Sequence, residues 1–159
     1  IKVSNPEELQ VVIEIPAGSN NKYEINEATG EFEINFVFKD IYFPFNYGYI
    51  PNTLADDGDP IDMGVFSDQP LKTGEVVLVR PFAVMKTKDR GKQDNKVLAV
   101  KVGDAVEQKY KDVQDLSEEQ KNAFDQFYLE VTRQKEKEII CEGYGSRQDA
   151  IDEIKNSLV

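Results

Sequence analysis

Short apolar segments, each cut off by turn-forming residues, constrain this chain more than any other feature. Val11-Val12-Ile13-Glu14-Ile15 has the β-branched content of a strand, and Pro16 with the Gly18-Ser19-Asn20-Asn21 turn ends it. Tyr23-Glu24-Ile25 and Phe32-Glu33-Ile34-Asn35-Phe36 alternate apolar and polar positions, with Thr29-Gly30 as the hairpin turn between them. Val76-Val77-Leu78-Val79-Arg80 and Lys96-Val97-Leu98-Ala99-Val100 read as further strands, separated by a charged loop from 86 to 95 with Gly91 at its tip. Ile139-Ile140-Cys141 is a last short strand. The helices come late. Ser117 and Gln120 form a capping box, and Phe124, Phe127, Tyr128 and Val131 then recur at three- and four-residue spacing. Ser146 with Asp149 opens a second helix, carrying Ala150, Ile151, Ile154 and Leu158 on one side. Strands first and helices afterwards predict an α+β chain, mainly β, with a small antiparallel barrel. No repeat, linker or composition break divides the 159 residues, so a single domain over 1–159 is expected.

The segment Asp57-Gly58-Asp59-Pro60-Ile61-Asp62 is preceded by Asp56, which makes four of seven consecutive side chains acidic. Gly58 permits backbone angles closed to other residues, and Pro60 fixes φ, so the acids sit on a defined turn. Like charges this close repel, and a cation among them relieves the repulsion. Mg²⁺ takes a few carboxylates together with waters and phosphate oxygens. A polar surface turn built from common turn formers is the competing local reading. An EF-hand loop fits poorly, because its register needs Gly where Asp62 stands and Glu where Asp68 stands.

Composition removes several function classes. Nineteen basic against thirty acidic side chains give a formal charge of −11, which disfavours a nucleic-acid partner. An acidic protein can still bind an anion when metal ions stand between the two. The chain has no His, so imidazole is excluded as base or ligand, and with it the Ser-His-Asp and Cys-His arrangements. Cys141 is alone, no apolar run approaches the roughly 18 residues of a membrane helix, and residues 1–6 lack a signal-peptide pattern. A cytoplasmic protein with no membrane partner is expected; the start at Ile1 leaves room for a missing or processed N-terminal piece.

Landmarks in a fixed order then point to a family. They are Val-Ile-Glu-Ile-Pro at 12–16, Lys22-Tyr23-Glu24-Ile25, Asn46-Tyr47-Gly48-Tyr49-Ile50-Pro51, and the Asp57 to Asp62 segment. Asp89, Asp94 and Lys96 around the charged loop follow, and then a helix bearing Tyr128. Over nearly its whole length the chain resembles the family I soluble inorganic pyrophosphatases of the short prokaryotic type. Singly, Lys22 and Lys96 would pass for surface lysines and Tyr128 for a core residue; their joint occurrence in family order carries the resemblance. It implies an OB-like β-barrel flanked by two C-terminal helices, hydrolysis of pyrophosphate to two orthophosphates, and a homohexamer. It also implies several Mg²⁺ ions per active site, with Mn²⁺ or another divalent ion left open. By matched position, Asp57, Asp62, Asp89 and Asp94 would hold metal, and Asp59 would accept the proton of the attacking water. Lys22, Tyr47, Lys96 and Tyr128 would hold phosphate oxygens, with Glu14 and Glu24 supporting them.

Three positions depart from the pattern. The family's Arg on the strand after the Lys-Tyr-Glu block has no counterpart, and Asn35 and Phe36 compete for its slot. Phe43 stands where a Tyr precedes the Pro, and Leu129 where a Lys follows the helix Tyr. Lys39, Arg133 and Lys135 are the cations in reach of the gap along the chain. Three alternatives stay open: a metal-binding relative with little or no turnover, a hydrolase of another phosphoanhydride, and an OB-type nucleic-acid binder stacking bases on the aromatics of 36–49.

Overall fold

Strand β1 (Leu9–Ile15) pairs antiparallel with β4 (Asn46–Tyr49) on one edge and with β6 (Val76–Asp89) on the other. Around the remaining arc, β4 pairs with β5 (Asp62–Phe66), β5 with β8 (Lys96–Lys101), and β8 with β6, which closes a five-stranded barrel. The structure, a computed structural model, describes residue 3, residues 5–135 and residues 137–159. Ile1, Lys2 and Ser4, on which the reading of the N-terminal segment partly rests, lie outside that set. Four contacts of the ring are antiparallel, as the sequence predicts; β5 and β8 run parallel. Parallel neighbours need a long crossover, and here β6 itself lies between them in sequence and supplies it.

The strands β2 (Asn21–Asn26) and β3 (Glu31–Val37) form a separate hairpin. Its turn is the predicted one, with the Thr29 and Gly30 amides donating to Asn26 O and Gly30 at φ +75°. The alternation does not buy burial there, since Ile34 is 54 % exposed and Ile25 39 %. Residues 86–95, expected as a charged loop, are half strand. β6 continues to Asp89, Arg90 and Gly91 turn at positive φ, and β7 (Lys92–Gln93) pairs back. The last strand, β9 (Ile139–Gly145), pairs with the far half of β6. Pro81 is tolerated inside β6 because it sits at a register shift in the β8 pairing.

Two apolar cores share the barrel wall. Val97 and Ala99 of β8 point into one, with Val11, Ile13, Met63 and Val65. Leu98 and Val100 point into the other, an aromatic-rich core with Phe43, Phe45 and Phe82. Burial on both faces explains why β8 reads as a continuous apolar run rather than an alternating one. Helix α1 (Glu118–Lys135) buries Phe124, Phe127, Tyr128 and Val131 in the aromatic core, and its predicted cap is present, with Gln120 N donating to Ser117 Oγ at 3.0 Å. Helix α2 (Arg147–Asn156) adds Ala150 and Ile154 to the first core behind the Ser146–Asp149 box. Leu158, expected on its buried side, lies past the helix end and is 43 % exposed.

At Gly48 two barrel strands leave no room for a side chain. A Cβ there would stand 2.2 Å from Val12 O on the neighbouring strand, and neither backbone can yield without breaking the β1–β4 pairing. Gly48→Ala is therefore expected to cost about 3 kcal/mol or more, or roughly 6–12 °C in melting temperature. A calorimetric melt within a degree or two of the parent would show that the strands can separate freely.

Candidate active site

A cleft of about 720 Å³ opens at the mouth of the barrel, between the β2–β3 hairpin, the β4–β5 loop, the β6–β8 connection and the end of α1. All eleven predicted site residues line it: Glu14, Lys22, Glu24, Tyr47, Asp57, Asp59, Asp62, Asp89, Asp94, Lys96 and Tyr128.

The carboxylates form one wall. Asp57 and Asp59 sit on the β4–β5 turn, which Ala55 N→Asp59 O (2.8 Å) and Gly58 N→Ala55 O (3.0 Å) close, with Gly58 at φ +89°. The Asp57 carboxylate also accepts from Asp59 N at 3.0 Å, so the turn is held by one of its own acids. Asp62 opens β5, where it lies opposite Tyr49 on β4 and Lys96 on β8. Asp94 is brought in by Thr87, whose carbonyl accepts from Asp94 N at 2.9 Å and whose hydroxyl donates to Asp94 O. Asp89 stands at the end of β6, accepting from Glu138 N at 3.2 Å.

At the centre is Lys96, whose side chain is only 3 % exposed. Its ammonium donates to Asp62 Oδ2 at 3.3 Å and to Asp94 Oδ2 at 3.1 Å, and stands 5.2 Å from the centre of the Tyr128 ring. Burial alone would discharge it, but the facing acids outweigh burial and hold its pKa above the ordinary lysine value. One ammonium does not neutralise the acids around it. Burial, then Asp62 and Asp57, push Asp94 up to about 7 against the pull of Lys96. Burial, then Asp62, push Glu14 up to about 8. Asp59 is also raised, by burial first and then by Asp57 and Asp62.

Donors line the same cleft. Burial holds the Tyr47 and Tyr128 phenols well above their usual range, so both keep their protons. Tyr128 Oη is buried and has no hydrogen-bond partner among the described residues. An orphan buried hydroxyl is costly, and a ligand oxygen in the cleft would satisfy it. Lys22 is paired with Glu24, whose pKa is lowered first by that hydrogen bond.

Among the described residues no three acidic, His or Cys side chains converge tightly enough to hold a metal as they stand. The donor set nonetheless fits a hard divalent cation. It is all carboxylate oxygen, it gathers round a single buried lysine, and Asp94 with the neighbouring Glu14 is pushed toward neutrality by burial first and then by the facing acids.

Of the three departures, Phe43 is buried against Tyr47 and Phe127 with its rim in the cleft, and Leu129 is 46 % exposed and off the lining. Arg133 pairs with Glu130 and Lys39 borders a separate shallow groove. Lys135 does line the cleft, together with Lys137, Arg90 and Lys92, which sequence reasoning missed; nothing local in a charged surface stretch marks them. Of the aromatic run from 36 to 49, Phe38, Phe43 and Phe45 are buried in the core and Tyr42 is the largely exposed ring.

Comparison with known proteins agrees with this arrangement. Residues 11–159 match the family model described as inorganic pyrophosphatase. The chain is 38 % identical over 160 residues to the inorganic pyrophosphatase of Aquifex pyrophilus, covering 96 % of this chain and 89 % of that one. It is 36 % identical over 157 residues to the Sulfolobus acidocaldarius inorganic pyrophosphatase, covering 96 % and 91 %. The crystal structure of the Thermus thermophilus inorganic pyrophosphatase superposes with a TM-score of 0.89 at 34 % identity, over 97 % of this chain and 91 % of that one.

Lys96→Met would leave Asp62 and Asp94 facing each other with no cation. The metal-free variant is expected to lose about 3 kcal/mol, and a hard divalent cation should return more stability to it than to the parent. Melting in EDTA and then with added cation checks both. Equal melting of variant and parent in EDTA would mean that the lysine does not hold the acidic wall together.

Proposed function

The chain belongs to the inorganic pyrophosphatase family, of the short prokaryotic type, and on that premise we propose that it hydrolyses pyrophosphate to two orthophosphates with Mg²⁺ as cofactor. The observation that carries the reading is the mixed lining of one cleft: carboxylates that fit divalent cations stand beside ammonium and phenol donors that fit phosphate.

In this proposal Asp57, Asp62, Asp89 and Asp94 hold the ions. When bound, Mg²⁺ lowers the pKa of water and neutralises charge on the attacking and leaving oxygens. Asp59 lies on the rim beside Asp57, exposed enough to meet a water and raised in pKa so that it takes a proton more readily. That water forms a new P–O bond, the bridging P–O bond breaks, and orthophosphate leaves with the electron pair. Lys96, Tyr128 and Tyr47 hold phosphoryl oxygens from the floor, and Lys22 from the hairpin side. The two tyrosines do so without adding a buried charge, because both stay protonated. Such a reaction needs positioning and charge neutralisation more than covalent chemistry, and those are the two properties this cleft supplies. We further propose that one domain spanning 1–159 carries the activity, that the protein acts in the cytoplasm as a homohexamer, and that it takes no nucleic-acid or membrane partner. No helix among the described residues is long and apolar enough to cross a membrane.

Orthophosphate release from pyrophosphate with Mg²⁺ near neutral pH tests the reading. Release should vanish with EDTA, and Asp59→Asn should lower kcat by about 10²–10⁴-fold while divalent-cation binding persists. Turnover unchanged in Asp59→Asn would remove that residue from the base role, and no release by the parent would remove the activity.

A further inference from the structure

Beyond the eleven residues, one rim of the cleft gathers like charges. Lys22 on β2, Lys135 at the end of α1 and Lys137 just after it all line it beside Glu24, while Phe36 of β3, under Lys135, faces the neighbouring groove. Lys135 Nζ lies 5.3 Å from the centre of the Phe36 ring, so a ring on β3 supports a cation from another element. We propose that Lys135 is a substrate-binding residue of this site, gripping oxygens of the phosphoryl group at the hairpin end of the cleft while Phe36 serves as its platform.

Its placement is built. The neighbouring Gln134 clamps the backbone of Lys39, ninety-five positions away, from both sides: Lys39 N donates to Gln134 Oε1 at 2.8 Å, and Gln134 Nε2 donates to Lys39 O at 2.9 Å. That double bond fixes the last turn of α1 against the chain leaving β3, and sets Lys135 over Phe36. The cost of the arrangement points the same way. Burial, then Lys22 and Lys137, push the Lys135 ammonium down to about 8, with Glu24 a smaller pull in the other direction. Three ammonium groups crowded round one short acid make poor use of charge unless an anion enters among them. A phosphoryl group, with several oxygens to share, reverses each of those repulsions at once. The carboxylate wall keeps anions away except where cations intervene, so the lysine rim also sets which end of the substrate lies away from the ions. The identity of the anion rests on the pyrophosphatase reading; the grip itself does not.

Two readouts separate them. Calorimetric binding of inorganic phosphate in Mg²⁺ buffer reports the grip without turnover, and steady-state kinetics on Mg²⁺–pyrophosphate reports it with turnover. Lys135→Met should weaken phosphate binding and raise KM by about ten- to a hundredfold, the loss of one charge-assisted hydrogen bond, with kcat changed less. Lys135→Arg should stay near the parent. Lys155→Met, on α2 and outside the cleft, should change neither. If Lys135→Met folds poorly, Lys135→Gln is read the same way. Parent-like phosphate affinity and KM in the neutral variant would overturn the proposal, and so would an arginine as defective as methionine, which would mark a packing role. A parent that binds phosphate through Lys135 but never cleaves pyrophosphate would sink the activity and uphold the grip.

Discussion

Closure of the barrel rests on β6, and the cleft depends on that closure. The 14-residue strand pairs with β1 over 76–79, with β8 over 79–85, with β9 over 84–89 and with β7 at 88–89. The first half seals the apolar interior. The second projects past the barrel mouth and carries Asp89, then turns through Arg90 and Gly91 to return Asp94 and Lys96 to the rim. Because β8 then lies parallel to β5, Asp62 and Lys96 stand side by side at matching strand starts. A shorter β6 would leave the barrel an open edge, and would also leave the metal-fitting wall without two of its acids.

The electrostatics of the cleft follow from what closure buries. Lys96 and Asp94 are taken out of water by the surrounding strands, which is costly unless each finds a partner. They find one another and Asp62, yet the acids still outnumber the ammonium in the vicinity. The surplus is visible in Glu14 and Asp94, both pushed toward neutrality, and the unmet donor in Tyr128 lies beside it. The metal-free protein therefore holds two opposite debts in one cavity. Cations settle the first and an anionic oxygen settles the second, so cations and phosphate are expected to favour each other's binding. This also reconciles a chain of charge −11 with an anionic substrate.

The sequence exposed the parts whose signal is local. Both helix caps, the Thr29-Gly30 turn, the strands β1 and β8 and the first five residues of β6 are written in spacing and turn chemistry, and they stand where expected. β4 and β5 were illegible as strands by pattern. The first is four residues, Asn46-Tyr47-Gly48-Tyr49, and the second opens with Asp62 and carries Gly64 at its centre. Gly64 is there because a Cβ would meet the Phe45 ring at 2.8 Å, a reason that exists only once the cores have formed. The alternation of β2 and β3 was read correctly as strand, but it says nothing of whether a neighbour covers the apolar face, and Ile34 has none close enough to bury it. The acidic turn was legible from Asp57 to Asp62, whereas only family order, and no local pattern, linked it to Lys22, Glu14 and Tyr128.

What stayed hidden was the direction of long cations. Helical period decides it. Tyr128, Val131 and Lys135 stand three and seven positions apart, which returns the side chain to nearly the same face, and all three line the cleft. Leu129 is turned about 100° from Tyr128, and its half-exposed side chain meets solvent. A cation at 135 lies about 10 Å further along the helix axis than Tyr128, far enough to reach over β3 while Tyr128 stays above Lys96. One helix face thus serves both ends of the cleft: its phenol meets the floor, and its last ammonium meets the hairpin. The charge is set by the element that the Gln134–Lys39 clamp can hold still, and not by the strand that lies beneath it.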